Sequence, residues 1–135
     1  MYKRQIKKLT RIRAVTKFEE PLTVTPALLK VLDQIQARDE ASIDLMIWGL
    51  GGIGKKTQKQ AMANLTHIGA EALPQMMNTY EQIKPVAQRR MVDVIGTFKT
   101  DQAKADHFLK TLVPENDYIR FAIEDARELL AQPKS

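Results

Sequence analysis

A regular alternation of helix start and stop signals runs from Thr25 towards the C-terminus, and it constrains the fold more than any other feature of this sequence. Proline residues stand where helices can begin, because proline lacks the N–H that would be unpaired in the first turn. Glycine residues stand where helices can end, because glycine readily adopts the backbone conformation that terminates a helix. No segment after Thr25 alternates apolar and polar residues with the β-branched composition of a strand. The pattern therefore predicts an all-α fold.

Seven helices are predicted from apolar residues spaced three and four positions apart. The first follows a Thr25 cap, and glycines are predicted to end three others, at Gly52 or Gly54, at Gly69 and at Gly96. Helices two to seven begin, in chain order, near Asp39, Thr57, Leu73, Pro85, Thr100 or Asp101, and Asn116 or Asp117. The expected inward-facing residues of the last three are Val86, Met91, Val94, Ile95 and Phe98, then Ala105, Phe108, Leu109 and Leu112, then Ile119, Ala122, Ile123, Ala126, Leu129 and Leu130. Short connections predict antiparallel neighbours.

Positive charge is concentrated before this helical region. The formal net charge is +5, and seven lysines and arginines precede the first acid, Glu19. We therefore divide the chain into a basic N-terminal arm and connector over residues 1–25 and a helical domain over residues 26–135. Such an arm can bind phosphate by releasing counterions, although a solvated tail is the commoner meaning of a basic run. The basic residues of the arm that we single out are Lys7, Lys8, Arg11 and Arg13.

The first five residues, Met-Tyr-Lys-Arg-Gln, resemble the translation of a transposon-end adapter used in sequencing libraries. On that interpretation residues 1–5 do not belong to the fold. We therefore expect the chain to be the C-terminal part of a longer protein.

The composition limits the chemistry and the compartment. With 135 residues and no cysteine, the chain has the length of one domain and has no disulfide, thiolate nucleophile or cysteine-ligated metal. The two histidines, His67 and His107, have no acids at a spacing that suggests a metal site. No apolar run approaches the roughly 20 residues that span a bilayer. We expect a cytoplasmic protein without a cofactor, a bound metal, a membrane contact or a small-molecule substrate.

The predicted helices also resemble one another. Residues 63–76 read ANLTHIGAEALPQM, in which one helix ends in Ile-Gly and the next begins with Ala-Leu-Pro. This resembles the HEAT-repeat pattern, and Ile-Gly pairs recur at residues 53–54 and 95–96. The intervals between the three pairs are unequal, so the pairing of helices into repeats stays open. The resemblance covers roughly residues 26–131 and implies a short right-handed α-α superhelix, a HEAT-like solenoid.

The HEAT resemblance also implies a function. Solenoids of this kind leave long exposed faces for partners, so we expect a non-enzymatic scaffold that binds another protein. In the family, an arginine near the start of a second helix often pairs with the acidic cap of a neighbouring repeat, which makes Asp117 and Arg120 a predicted structural pair. Arg89 has no acidic cap before it. We therefore predict that Arg89 and Arg90 bind the partner.

Two other functions remain as alternatives. Residues 49–57 read GLGGIGKKT and resemble the phosphate-binding loop of NB-ARC-type nucleotide-binding proteins, with residues 45–48 as its preceding strand. In that loop a hydroxyl directly after Lys55 would ligate Mg²⁺, but Lys56 stands there and Thr57 follows one position late, about 100° around a helix. We therefore favour the glycine-rich end of a repeat helix over a nucleotide site. The second alternative is a helical array that binds nucleic acid.

Overall fold

The computed structural model describes residues 38–52 and 54–132, and all regular structure within them is helical. Six α-helices are present in this part of the chain: α1 Glu40–Gly49, α2 Lys55–Ile68, α3 Leu73–Thr79, α4 Pro85–Ile95, α5 Gln102–Thr111 and α6 Asp117–Ala131. Short 3-10 helices, Gly69–Ala72 and Tyr80–Gln82, flank α3. The all-α prediction is confirmed for the described residues. The predicted helix after Thr25 lies outside them, so the count of seven stays a prediction.

Three helix ends follow the capping signals of the sequence, but the predicted end of α1 at Gly52 or Gly54 is wrong, because α1 ends at Gly49. Asp39 caps α1, where its Oδ2 accepts a hydrogen bond from the Ser42 N–H at 3.1 Å. Asn116 caps α6, where its Oδ1 accepts from the Ile119 N–H at 2.9 Å. Gly69 ends α2 with a φ of 75°, in the region that favours glycine. Each of these three ends was predicted from residue type alone.

Each helix packs against one or more of the others. Helix α4 contacts α2 and α6, while α1 contacts α2 and α3, and α5 contacts α6. The ring of Tyr80, just after α3, meets the ring of Phe108 in α5 edge to face, with centroids 5.9 Å apart. Gln88 of α4 donates a buried hydrogen bond to the Tyr80 carbonyl at 2.9 Å. These contacts join α3, α4 and α5 to one continuous core.

Two residues that were predicted to face inward are exposed. Val86, the second residue of α4, is 58% exposed, since it sits about 100° around the helix from the buried Ala87. Leu129 is 42% exposed, since it sits about 100° around α6 from the buried Leu130. The other inward-facing residues predicted for α4 to α6 are buried, apart from Leu112, which is partly buried against the core.

Candidate functional site

A groove of about 370 Å³ lies among the N-terminal halves of α2, α4 and α6. Helix α2 forms one wall, α4 the middle, and the first turn of α6 with its cap the opposite wall. The residues that line the groove are Lys55, Gln58, Lys59, Met62, Pro85, Val86, Arg89, Arg90, Asp93, Asn116, Tyr118 and Ile119. The groove thus combines basic side chains with an apolar lining.

Three of the four cations in the groove are exposed. Lys55, Lys59 and Arg89 lie on the solvent side of α2 and α4. Within residues 38–52 and 54–132, none of the three has a carboxylate within the 4.0 Å of a salt bridge. These side chains are therefore available to an external anion.

Arg90 differs from its neighbour Arg89. It is half-buried, and its Nη1 donates a hydrogen bond of 2.7 Å to the carbonyl of Leu50, the residue at the C-terminal end of α1. A cation is favourable at that position because helix C-termini carry partial negative charge. Burial lowers the pKa of Arg90, and the neighbouring charge of Arg89 lowers it further. The structure therefore gives Arg90 an internal role and leaves Arg89 exposed, while the predicted partner binding of both stays a prediction.

Asp93 is the one acid that lines the groove, one helical turn beyond Arg89. Burial raises the pKa of Asp93, Arg89 lowers it, and Asp125 of α6 raises it. Along α4, the groove-lining residues thus change from the cations Arg89 and Arg90 to the carboxylate of Asp93.

Two large apolar side chains stand open to solvent at this groove. Val86 at the start of α4 is 58% exposed, and Tyr118 at the start of α6 is 73% exposed. Phe121 follows Tyr118 on α6 and is 53% exposed. The guanidinium of Arg120 lies over its ring, 5.0 Å from the ring centre. This cluster was not predicted from the sequence, because Val86 was expected in the core and Tyr118 was assigned no binding role. Lys55 and Lys59, one turn apart on α2, were the available signal for a basic face.

Asp117 and Arg120 do contact each other, but within one helix. The Arg120 Nη2 lies 3.0 Å from the Asp117 Oδ1, and both side chains are at least half exposed. Both residues belong to α6 at a spacing of three, so this salt bridge does not connect two helices. Exposed pairs of this kind contribute about 0.2–0.5 kcal/mol. The basic residues Lys7, Lys8, Arg11 and Arg13 lie outside the described residues.

The glycine-rich segment connects two helices. Residues 45–48, which a phosphate-binding loop would need as a strand, belong to α1. Gly54 precedes α2 with a φ of 88°. The side-chain amide of Gln58 donates a hydrogen bond of 2.8 Å to the Gly52 carbonyl. Thr57 is buried within α2. The strand-loop-helix framework of a nucleotide site is therefore absent from the described part of this segment.

Metal-binding clusters and membrane-spanning helices are both absent from the part of the chain that the structure describes. No three His, Asp or Glu side chains in residues 38–52 and 54–132 are grouped so that they could hold a metal ion. Among the helices described, none combines the length and the apolar character needed to cross a membrane.

Comparisons of the chain with family models, with curated proteins and with solved structures find no match. The function is therefore inferred from the groove and its side chains.

Proposed function

We propose that this chain is a non-enzymatic helical scaffold of HEAT-like architecture, and that it binds a partner protein at the groove between α2, α4 and α6. The partner is a protein, and the part played by the chain is to hold it.

The helix contacts support a solenoid of three pairs, since α1 packs on α2 and α5 packs on α6. The middle pair, α3 and α4, is joined by the hydrogen bond from Gln88 of α4 to the Tyr80 carbonyl just after α3. The second helices contact one another in chain order, α2 with α4 and α4 with α6. The first helices follow the same order, because α1 contacts α3 and Tyr80 after α3 meets Phe108 of α5. Contacts between neighbouring units are what stacked helical repeats use to bury their apolar faces.

The observation that carries the proposal is the exposure of Val86 and Tyr118 at one groove. Both lie at the N-terminal ends of second helices, and both are more than half exposed. Large apolar side chains gathered at a concave surface are typical of protein interaction sites, where aromatic and arginine side chains supply much of the binding energy. Arg89 lies beside them in the same groove. The surface therefore has the composition of an interface.

Capture of partners by the full chain tests this proposal. The wild-type chain is immobilised and exposed to a lysate of the source cells, beside a variant that carries Val86→Ser and Tyr118→Ser. A control variant carries Val113→Ser and Leu129→Ser, which are exposed by 88% and 42% and do not line the groove. Capture is measured by quantitative mass spectrometry, and the affinity for the captured protein is then measured by calorimetry with purified components.

The groove variant is expected to lose about tenfold or more in affinity, the equivalent of one buried apolar contact of about 1.4 kcal/mol. The control variant is expected to keep the wild-type affinity. Equal capture by the groove variant and the wild type, or no enriched protein on either, would refute the proposal.

A further inference from the structure

The groove has a net positive charge, whereas residues 38–132 as a whole are nearly neutral. Residues 38–132 contain twelve lysines and arginines and thirteen acids, so this part of the chain is nearly neutral. The groove lining nevertheless has four cations and a single carboxylate, that of Asp93. Such local segregation of charge attracts ligands of the opposite sign.

The position of one groove cation, Lys55, opposes helix stability. Helix α2 starts without a side-chain cap and without an acid in its first turn, and it carries Lys55 and Lys56 there instead. Helix α4 also lacks a side-chain cap and an acid in its first turn, and it is preceded by Lys84, which does not line the groove. Helix N-termini carry partial positive charge, so acids stabilise them and cations are unfavourable. An anionic ligand close to Lys55 would offset this local cost.

The apolar part of the groove narrows the choice of anion. Met62, Pro85 and Ile119 line it, with the more exposed Val86 and Tyr118 beside them. A phosphate backbone gains little from such a lining, and a nucleic acid needs a basic track along several nucleotides. Here the basic stretch ends within one helical turn of Arg89, at Asp93. A protein segment with both carboxylates and an apolar side chain can contact the cations and the apolar residues of the groove together.

We propose that the groove binds an acidic segment of the partner, in which Asp or Glu side chains meet Lys55, Lys59 and Arg89 and one large apolar side chain packs against Val86 and Tyr118. This inference rests on the proposed function, since it specifies the chemistry of the protein that the scaffold holds.

A random peptide library displayed on phage and selected on the full chain tests the inference. Enriched sequences are expected to combine several Asp or Glu residues with an aromatic or aliphatic residue. The most enriched peptide is then synthesised with a fluorescent label, and its binding is measured by anisotropy at low and raised salt. Its affinity is expected to fall as salt rises, because the contacts are charged and partly exposed.

Charge reversal at the groove gives the decisive variant, with Lys55→Glu, Lys59→Glu and Arg89→Glu combined. It is expected to bind the enriched peptide at least about thirtyfold more weakly, the equivalent of three lost charge pairs of about 0.7 kcal/mol each. Since an acid is favourable in the first turn of a helix, Lys55→Glu removes an unfavourable charge there and the fold is expected to be kept. Circular dichroism and Tm check this point.

The matched control carries the same change in charge at exposed lysines outside the groove, with Lys99→Glu, Lys104→Glu and Lys110→Glu. It is expected to bind the peptide within about twofold of the wild type, because these lysines do not line the groove and salt weakens interactions between exposed charges. Asp93→Asn is expected to bind the acidic peptide more tightly, since it removes the carboxylate from the groove.

The outcomes separate this inference from the proposed function. Selection of neutral or basic peptides, or equal loss in the groove and control variants, overturns the acidic segment. Tighter binding of a labelled single-stranded oligonucleotide through the same three cations overturns it as well. If the Val86 and Tyr118 substitutions still abolish capture of a cellular protein in any of these cases, protein binding stands and only its chemistry is wrong. If they do not, both proposals fail.

Discussion

Gly96 lies so close to α6 that a methyl group on its Cα would stand 2.9 Å from the Cα of Ala126. Gly96 ends α4 with a φ of −61°, which any residue can adopt, so conformational freedom does not explain the glycine. The reason is the close approach of two backbones where the end of α4 meets α6. Ala126 is itself buried, so neither side has room to move.

Gly96→Ala is therefore expected to destabilise the protein by about 1–3 kcal/mol, the usual effect of overpacking a core. Gly51→Ala is the control, because a Cβ there would meet the Ala87 Cβ at 3.7 Å, an ordinary contact. The control is expected to be neutral or slightly stabilising, since alanine restricts the unfolded chain. Urea denaturation followed by circular dichroism measures both. Equal stabilities of the two variants would show that α4 and α6 can separate at little cost.

The second prediction concerns the two adjacent arginines of α4. Arg90→Ala removes the hydrogen bond to the Leu50 carbonyl and is expected to cost about 1.5–3 kcal/mol, as is usual for a bond from a charged donor. Arg89→Ala is expected to stay within about 0.5 kcal/mol of the wild type, because the side chain is exposed. Thermal unfolding of the two single variants checks this order. The reverse order would mean that the Arg90 bond contributes little and that Arg89 has a structural role.

A third prediction compares two helix starts. Asn116→Ala removes the side-chain bond to the Ile119 N–H and is expected to cost about 1 kcal/mol. Asp101 precedes α5 with a φ of 51° and makes no capping bond from its side chain. Asp101→Gly is therefore expected to be neutral or to raise Tm, because glycine adopts positive φ without strain. A loss of stability in the Asp101 variant comparable to that of Asn116→Ala would contradict this assignment of the caps.

Several helix starts could be read from the sequence because capping is a local property. The end of α1 could not, since the helix stops at Gly49, before the predicted Gly52 or Gly54. Asp39 and Asn116 cap the helices that follow them through bonds to residues three positions on. The α5 cap was predicted at Thr100 or Asp101, and the residue there is at the helix start without making the bond. Residue type predicts the position of a cap better than its hydrogen bond, because the bond also requires the extended backbone that Asp101 lacks.

The groove could not be read from the sequence because it depends on which helices become neighbours. Lys55 and Arg89 are 34 positions apart, and only the contact between α2 and α4 brings them to one surface. Arg90 was predicted to bind the partner together with Arg89. The sequence does not show that Arg90 reaches the C-terminal end of α1 and donates to the Leu50 carbonyl. Val86 fits an apolar helical pattern, yet it is 58% exposed at the groove between α2 and α6. Tertiary position decides all three cases.

The last prediction concerns the pH dependence of stability at Asp93. Burial raises the pKa of this carboxyl in the folded protein above its ordinary value of 3.8, and Asp125 adds to the increase. A raised pKa means that the folded state binds the proton more tightly than the unfolded chain. The stability that Asp93 contributes is therefore full below its ordinary pKa and is lost as the pH rises through the folded value.

At neutral pH the charged Asp93 is thus unfavourable, and Asp93→Asn is expected to be more stable than the wild type. The difference should shrink as the pH falls below about 4, where the carboxyl is protonated in both states. Glu124→Gln removes one negative charge from an exposed position of α6 and serves as the control. Denaturation is measured across acidic and neutral pH. An Asn variant less stable than the wild type at neutral pH would mean that attraction to Arg89 outweighs burial, and that the groove cations already have an internal carboxylate partner.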